Sequence, residues 1–366
     1  MDNGLSDVVE LFVELAEIPS PSGEEAAVAE RVREYLGALA LEVEEDEIGN
    51  LLARVEPRRE GTPLFLCAHL DTVPPDAEIE PVVERGVVRN AGGTILGADN
   101  KAAVAVMLEA VRRVVDEGRP HAGIELVFTP KEEVGLLGAY AFDHTRLAAR
   151  AGFVYDHAGP IGEIILGAPY QTKIDVTFHG RAAHSGMYPE DGRSAIAAAA
   201  RAISDLRLGR LDEQTTANVG EISGGTARNI VPEHCSFRAE ARCHDEGKLN
   251  ALVQEMLETI TFAAQLSECD VETSVDPSAR GYRFRRDEEP VRLAAAALTR
   301  AGFEPSYGLS GGGADANVFN QRGLQCVNLA NGMIDIHTSD ERISVEDLER
   351  MVDVTLALVE VASDGA

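Results

Sequence analysis

The chain has 366 residues, 45% hydrophobic and 26% charged, with a formal net charge of −29. That length exceeds one typical domain, and that composition suits a folded globular protein. So negative a surface repels phosphate backbones and anionic bilayers, which argues against nucleic acid and membrane as partners.

In chain order, MDNGLSDVVELF is acidic and lacks a basic n-region with a cleavage site, so no signal peptide is expected. VVELFVELAEI has the spacing of an amphipathic helix, and PSPSG ends it. Ser22 and Glu25 have capping-box spacing before a second helix through Glu34 and Tyr35. LEVEEDEIGNLLARVE reads as strand, turn, strand, and LFLCAHL as a buried strand. AAVAVMLEAVRRVV after GADNK predicts a helix, and GIELVFTP and AGFVYDHAG predict strands. Strands alternating with helices predict a layered α/β domain.

Around Tyr170 the pattern changes. TKIDVTFHG alternates as a half-buried strand, followed by the helix SAIAAAARAISDLR. The strands TTANVGEISGG and EHCSFRAEARCH, the helix KLNALVQEMLETITFAAQL and the strand CDVETSV complete a β-α-β-β-α-β order. That order predicts a ferredoxin-like α+β unit, with helices on one face of an antiparallel sheet. The α/β pattern resumes with EEPVRLAAAALTRAG, the Gly-rich LSGGGADANVF, the strand QCVNLA and the helix VEDLERMVDVTLALVEVA. The expected organisation is a discontinuous catalytic domain of residues 1–169 and 287–366, interrupted by an inserted lid of residues 170–286. No apolar stretch approaches the ~18 residues of a membrane span. Five cysteines, with no CxxC, suggest reduced thiols and a cytoplasmic location, not a disulfide framework or thiolate zinc site.

The strand FLCAH ends in His69 and Asp71, which point to the same face because side chains alternate along a strand. A lone His-x-Asp at a strand end is more often two solvated polar residues. The chemical alternative is a metal ligand whose other ring nitrogen is held by a carboxylate. Asp99 follows Gly97 and Ala98 at a helix start, where Asp commonly caps. Glu132 and Glu133 follow an apolar strand; one can bind metal while its neighbour accepts a proton from water. Asp156 closes another apolar strand, with His157 beside it, and His337 lies in a loop before the last helix. His69, Asp99, Glu133, Asp156 and His337 together make two imidazoles and three carboxylates without a thiolate. That donor set suits a pair of divalent ions per chain, zinc first, with cobalt or manganese as alternates. Crowded carboxylates would also repel one another unless cations lay among them.

HLDTVPP, GADNKAAVAV, TPKEEVGLLGA, YDHAGP, GRAAHSGMYPEDGRSA, GGTARNIVPE, SGGGADANVF and IHTSDERIS occur in the order found in co-catalytic zinc exopeptidases. The chain resembles that family, which includes tripeptidase T, carboxypeptidase G and aminoacylases, and its peptidase T-like branch above all. The resemblance spans essentially the whole chain. It implies that His69 and Asp156 bind one zinc, that Glu133 and His337 bind the other, and that Asp99 bridges them. It further implies that Asp71 orients His69 and that Glu132 is the general base. In the inserted domain, His184 matches a residue that helps hold the scissile carbonyl, and Asn229 a substrate-binding position. The resemblance also implies a homodimer through the lid.

One departure bears on specificity. Tripeptidase T carries an Arg beside its Gly-Gly-Thr-Asp loop that grips the peptide's terminal carboxylate. Leu309 to Asp315 here read LSGGGAD, without Arg. Arg228 and Arg283 are the candidates to take over that bidentate role. The expected function is metal-dependent hydrolysis of an amide bond in short peptides, as an aminopeptidase. The alternatives are an N-acyl amino acid deacylase or carboxypeptidase of the same family, and a catalytically inactive peptide-binding protein.

Overall fold

A computed structural model describes residues 5–364, so the first four residues of the MDNGLSDVVELF segment lie outside the described residues. The chain forms two compact units: one runs to Gly167 and resumes at Phe284, and the other is Ala168–Arg283.

The first unit is built on an eight-stranded sheet. Its spatial order is Val43–Glu45, Leu51–Val55, Ile124–Thr129, Leu64–His69, Ala151–His157, Gln325–Ala330, Glu163–Ile165 and Ser306–Gly308. The four central strands, Ile124–Thr129 to Gln325–Ala330, run parallel, and Leu51–Val55 joins them antiparallel. Leu64–His69 and Ile124–Thr129 are buried along their whole length, as near-continuous apolar runs in a parallel sheet require. Helix Ala98–Asp116 packs on Leu64–His69 and Ala151–His157, and against helices Asp7–Ala16 and Val345–Asp364.

Phe65, Cys67 and His69 share one strand face. Phe65 lies with its ring centroid 4.9 Å from that of Phe319, in helix Asp315–Gln321. Cys67 Sγ lies 3.7 Å from Asp315 Oδ2, so this face looks onto the short helix. Gly152 pairs with Phe65, and a Cβ there would meet the Phe65 ring at 1.9 Å. His69 and Thr129 are register partners, so neighbouring parallel strands finish level. Open α/β sheets place their sites at these carboxyl ends.

Three features depart from the sequence reading. Pro81–Glu84, Val87–Asn90 and Arg342–Ser344 form a small antiparallel sheet with no counterpart among the predicted strands. Its hairpin turns at Arg85 and Gly86, with φ of 53° and 78°, the paired positive values of a two-residue primed turn. Helix Asp315–Gln321 begins within the Gly-rich LSGGGADANVF segment. The Ser22–Glu25 capping box is not formed: helix Ala26–Ala38 begins without a side-chain cap. Ser22 Oγ instead donates to Asp71 Oδ2 at 2.6 Å. Glu25 Oε1 accepts the N–H groups of Gly23 and Lys131, at 2.7 and 3.1 Å.

The second unit is a five-stranded antiparallel sheet in the order Gly209–Asp212, Thr215–Gly224, His234–Cys243, Tyr170–His179, Asp270–Ala279. Helices Ala195–Asp205 and Glu246–Leu266 pack on it. Ile174, Val176 and Phe178 alternate inward and meet Ala239, Phe237 and Cys235 across the ladder. This is the expected α+β insertion in an α/β frame. All five cysteines are buried and free. Among the described residues no helix is long and apolar enough to cross a membrane.

Candidate metal centre

The carboxyl ends of three parallel strands and two loops of the first unit bring the predicted imidazoles and carboxylates together. His69 closes Leu64–His69, and Asp156 lies near the end of Ala151–His157. Glu132 and Glu133 follow Ile124–Thr129 after a turn in which Lys131 has φ 57°. Asp99 enters from the start of helix Ala98–Asp116, where Asp99 and Asn100 depart from helical φ and ψ. His337 enters from a loop with φ 63°, a left-handed value that is rare outside glycine.

Asp99 stands between two imidazoles. Its Oδ1 lies 3.1 Å from His69 Nε2, and its Oδ2 lies 3.2 Å from His337 Nε2. On the outer flanks, Asp156 Oδ1 is 3.8 Å from His69 Nε2, and Glu133 Oε1 is 2.8 Å from His337 Nε2. One donor atom each from His69, Asp99 and Glu133 lies within 4.8 Å of the others. His69 Nδ1 is occupied by Asp71, 2.8 Å from its carbonyl oxygen and 3.5 Å from Oδ1, which leaves Nε2 to face the site.

Burial and mutual charge set the protonation of these groups. Burial, then the charges of Asp99 and other neighbours, push the Asp156 carboxyl up to about 8. Burial first, then the Asp156 charge, raise Glu132 well above the carboxylate range. Hydrogen bonds to Asp99 and Glu133 raise His337 to about 10. For His69, burial works downward, but the hydrogen bonds to Asp156, Asp71 and Asp99 outweigh it and raise the imidazole. Burial works upward on Asp99, yet the two imidazoles hold its carboxyl far below the usual range. Without cations, protons on His69 and His337 would be what offsets the charge of this carboxylate cluster. Divalent cations would offset it with those protons displaced. The donor set fits such ions: nitrogen and oxygen atoms converge, and no thiolate is present.

Asp71 lies behind this cluster. Its Oδ1 accepts the Glu132 N–H at 2.9 Å and its Oδ2 the Glu133 N–H at 3.1 Å. Among the other predicted residues, His184, Arg228 and Asn229 belong to the second unit. His184 Nδ1 accepts the N–H groups of Gly186 and Met187, each at 3.2 Å. A neutral ring in that arrangement carries its proton on Nε2. Asn229 lies beside this loop, its carbonyl accepting the Ser185 N–H at 3.1 Å. Arg283 closes the short strand Tyr282–Arg283.

Several groups support the centre in roles that no sequence signal indicates. Ser22 buttresses Asp71, as described. Asn328 Oδ1 accepts the Asp156 N–H at 2.9 Å and its Nδ2 donates to the Asp156 carbonyl at 2.8 Å, which fixes that strand end. Asp315 is buried beside Cys67 and Thr129, where burial lifts its carboxyl to about 6. The motif SGGGADANVF contained it, but only the tertiary contacts give it a place.

A family described as Peptidase family M20/M25/M40 matches residues 65–361. Among solved structures, the aminopeptidase PepT of Bacillus cereus shares 37% sequence identity with the chain, covers 98% of each chain and has a TM-score of 0.90. A tripeptidase of Staphylococcus aureus shares 34% identity over 98% of each chain, with a TM-score of 0.94. Peptidase T of Vibrio cholerae is 29% identical over 279 residues, 75% of this chain and 67% of that protein.

Proposed function

The chain belongs to peptidase family M20/M25/M40, and from that premise we propose an aminopeptidase that cleaves short peptides with two divalent metal ions, zinc first. Family and fold make it a metallopeptidase, a hydrolase of peptide bonds. The observation that carries the two-ion reading is Asp99, whose two oxygens reach different imidazoles at 3.1 and 3.2 Å. On this reading His69 and Asp156 would hold one ion, Glu133 and His337 the other, and Asp99 would be shared between them.

Such a pair, when bound, would supply Lewis-acid chemistry, polarising a carbonyl and lowering the pKa of water toward neutral. Glu132 takes up the water's proton and later delivers it to the leaving amine. Asp71 holds the tautomer of His69 and the backbone of Glu132 together. His184 offers Nε2–H to the oxyanion, and Arg228 and Asn229 bind the substrate. The aminopeptidase and tripeptidase relatives favour a peptide over an N-acyl amino acid.

The same reading includes a homodimer formed through the second unit. Ile222, Phe262, Leu266 and Val275 support it as large apolar side chains exposed on that unit. It also includes a cytoplasmic location, supported by five buried, unpaired cysteines. The test is turnover of a dipeptide, tripeptide and N-acyl library by protein loaded in turn with Zn²⁺, Co²⁺ and Mn²⁺, alongside metal analysis. Release of N-terminal residues with two ions per chain is expected. Hydrolysis confined to N-acyl amino acids, or bound metal without turnover of any member, would overturn the aminopeptidase reading.

A further inference from the structure

Glu341 is a buried carboxylate, 2% exposed, whose two oxygens take three backbone N–H groups from one short segment. Oε2 accepts from Leu96 at 2.7 Å and Gly97 at 2.8 Å, and Oε1 accepts from Asp99 at 2.9 Å. That segment cannot satisfy these donors itself. Gly97 is left-handed at φ 76°, and Asp99 is non-helical at φ −83° and ψ 100°. Buried N–H groups without partners are costly, and bonds to a charged acceptor are about twice as strong as neutral ones. A buried carboxylate is costly too unless well bonded or paired. Lys101 is also buried; burial pushes its amine down to about 7, while the charge of Glu341 works upward on it.

The position of Glu341 gives this clamp its meaning. It follows His337 by one turn of chain, and its own N–H donates to the Thr338 carbonyl at 3.2 Å. The stretch that presents His337 therefore also grips the backbone that presents Asp99. Those two side chains meet at 3.2 Å, from segments 238 residues apart (337 − 99).

We propose that Glu341 is a positioning residue for the metal centre: it fixes the backbone behind Asp99 and locks it to the segment behind His337. The inference rests on Asp99 and His337 serving as metal donors. A clamp needed only for folding would change stability and leave metal binding by the folded protein alone. A clamp that aligns donors changes the metal site itself.

The test uses full-length Glu341→Gln and Glu341→Asp. The amide keeps one acceptor oxygen but turns an NH₂ toward N–H donors. The aspartate keeps the charge but is one methylene short. Metal-stripped proteins are titrated with Zn²⁺ against a chelating indicator, and visible absorption is recorded after loading with Co²⁺. Folding is checked by circular dichroism, and kcat and KM are separated on a cleaved peptide. For the Gln variant, a zinc affinity roughly 10–100-fold lower is expected, the usual effect of losing a group that orients ligands. An altered cobalt spectrum and a lower kcat with little change in KM should accompany it, and the Asp variant should recover part of each. If the Gln variant does not fold, the Asp variant is judged on the same readouts. Wild-type zinc affinity and cobalt spectrum, with only the melting temperature lowered, would overturn the proposal. Asp99→Ala separates the two levels. If it too keeps wild-type zinc affinity, the metal reading fails. If it loses zinc while the Glu341 variants do not, only the role of Glu341 fails.

Discussion

Asp71 accepts the backbone N–H of Glu132 at 2.9 Å, so the carboxylate beside His69 also holds the chain that carries both glutamates. Its second oxygen takes the Glu133 N–H at 3.1 Å and the Ser22 hydroxyl at 2.6 Å. One side chain thereby sets the distance between the end of Leu64–His69 and the turn after Ile124–Thr129. Asp71→Asn would keep the shape but lose an acceptor oxygen among these donors. Zinc affinity should fall about 10–100-fold, read by competition with a chelator. Unchanged affinity would reduce Asp71 to a local turn residue.

Glu132 and Glu133 are neighbours with different surroundings. Glu133 reaches His337 at 2.8 Å, whereas Glu132 is buried beside charges that raise its pKa. Glu132→Gln should leave metal content nearly intact and lower kcat by roughly 10²–10⁴-fold. Glu133→Gln should instead weaken metal retention. Equal metal loss in both, measured after gel filtration, would remove this division of labour.

The side chains of this centre were legible in the sequence because each closes an apolar run or sits in a distinctive loop. His69 and Asp156 end buried strands, and the glutamate pair follows a third. The backbone that aims them was not legible. Lys131, Leu136, Asp335 and His337 all have φ between 55° and 63°, without the glycines that usually announce such turns. Ser22 and Glu25 matched a local capping pattern, but distant partners took up both side chains. Local spacing could not weigh a neighbour 49 residues away against one three residues away.

His144 should make stability depend on pH. Its ring lies 5.5 Å from Phe142 and 5.2 Å from Phe319, between centroids, and Nε2 is buried without a partner among the described residues. Burial, with Arg322 nearby, pushes its pKa down to about 4. An unfolded histidine titrates at about 6.5, so between these values the unfolded chain binds the extra proton. The contribution is therefore fully present above about pH 6.5 and is lost as pH falls toward 4. His144→Phe cannot take up that proton. The melting temperature of the variant minus that of wild type should rise as pH drops from about 7 to 5. A constant difference would show that His144 titrates alike in both states.

Charge acts on the whole chain. With 62 acidic residues against 33 basic ones, self-repulsion opposes the compact state and is screened by salt. Exposed ion pairs such as Arg207–Glu255 would weaken under the same screening, but each contributes little. The melting temperature should rise between low and molar salt. A flat or falling value would mean that local pairing outweighs net repulsion.

If the chain forms the proposed homodimer, His184 is expected to act across it. Its loop fixes Nδ1 as an acceptor of the Gly186 and Met187 N–H groups, so a neutral ring presents Nε2–H outward. A donor of that kind stabilises the oxyanion formed at the scissile carbon. His184→Ala should then lower kcat while metal content stays unchanged, which separates it from the donors of the first unit. Complementation decides which subunit it serves. Glu132→Gln chains are mixed in equal amounts with His184→Ala chains under conditions that let subunits exchange. Half of the dimers are then mixed. If the histidine works in trans, each mixed dimer regains one intact site from the Glu132 of one chain and the His184 of the other. The pool should recover about a quarter of wild-type activity, because half the dimers each carry half the sites. If it works in cis, every site still lacks one of the two groups. No recovery, with exchange verified by mass, would assign His184 to its own subunit or remove it from catalysis.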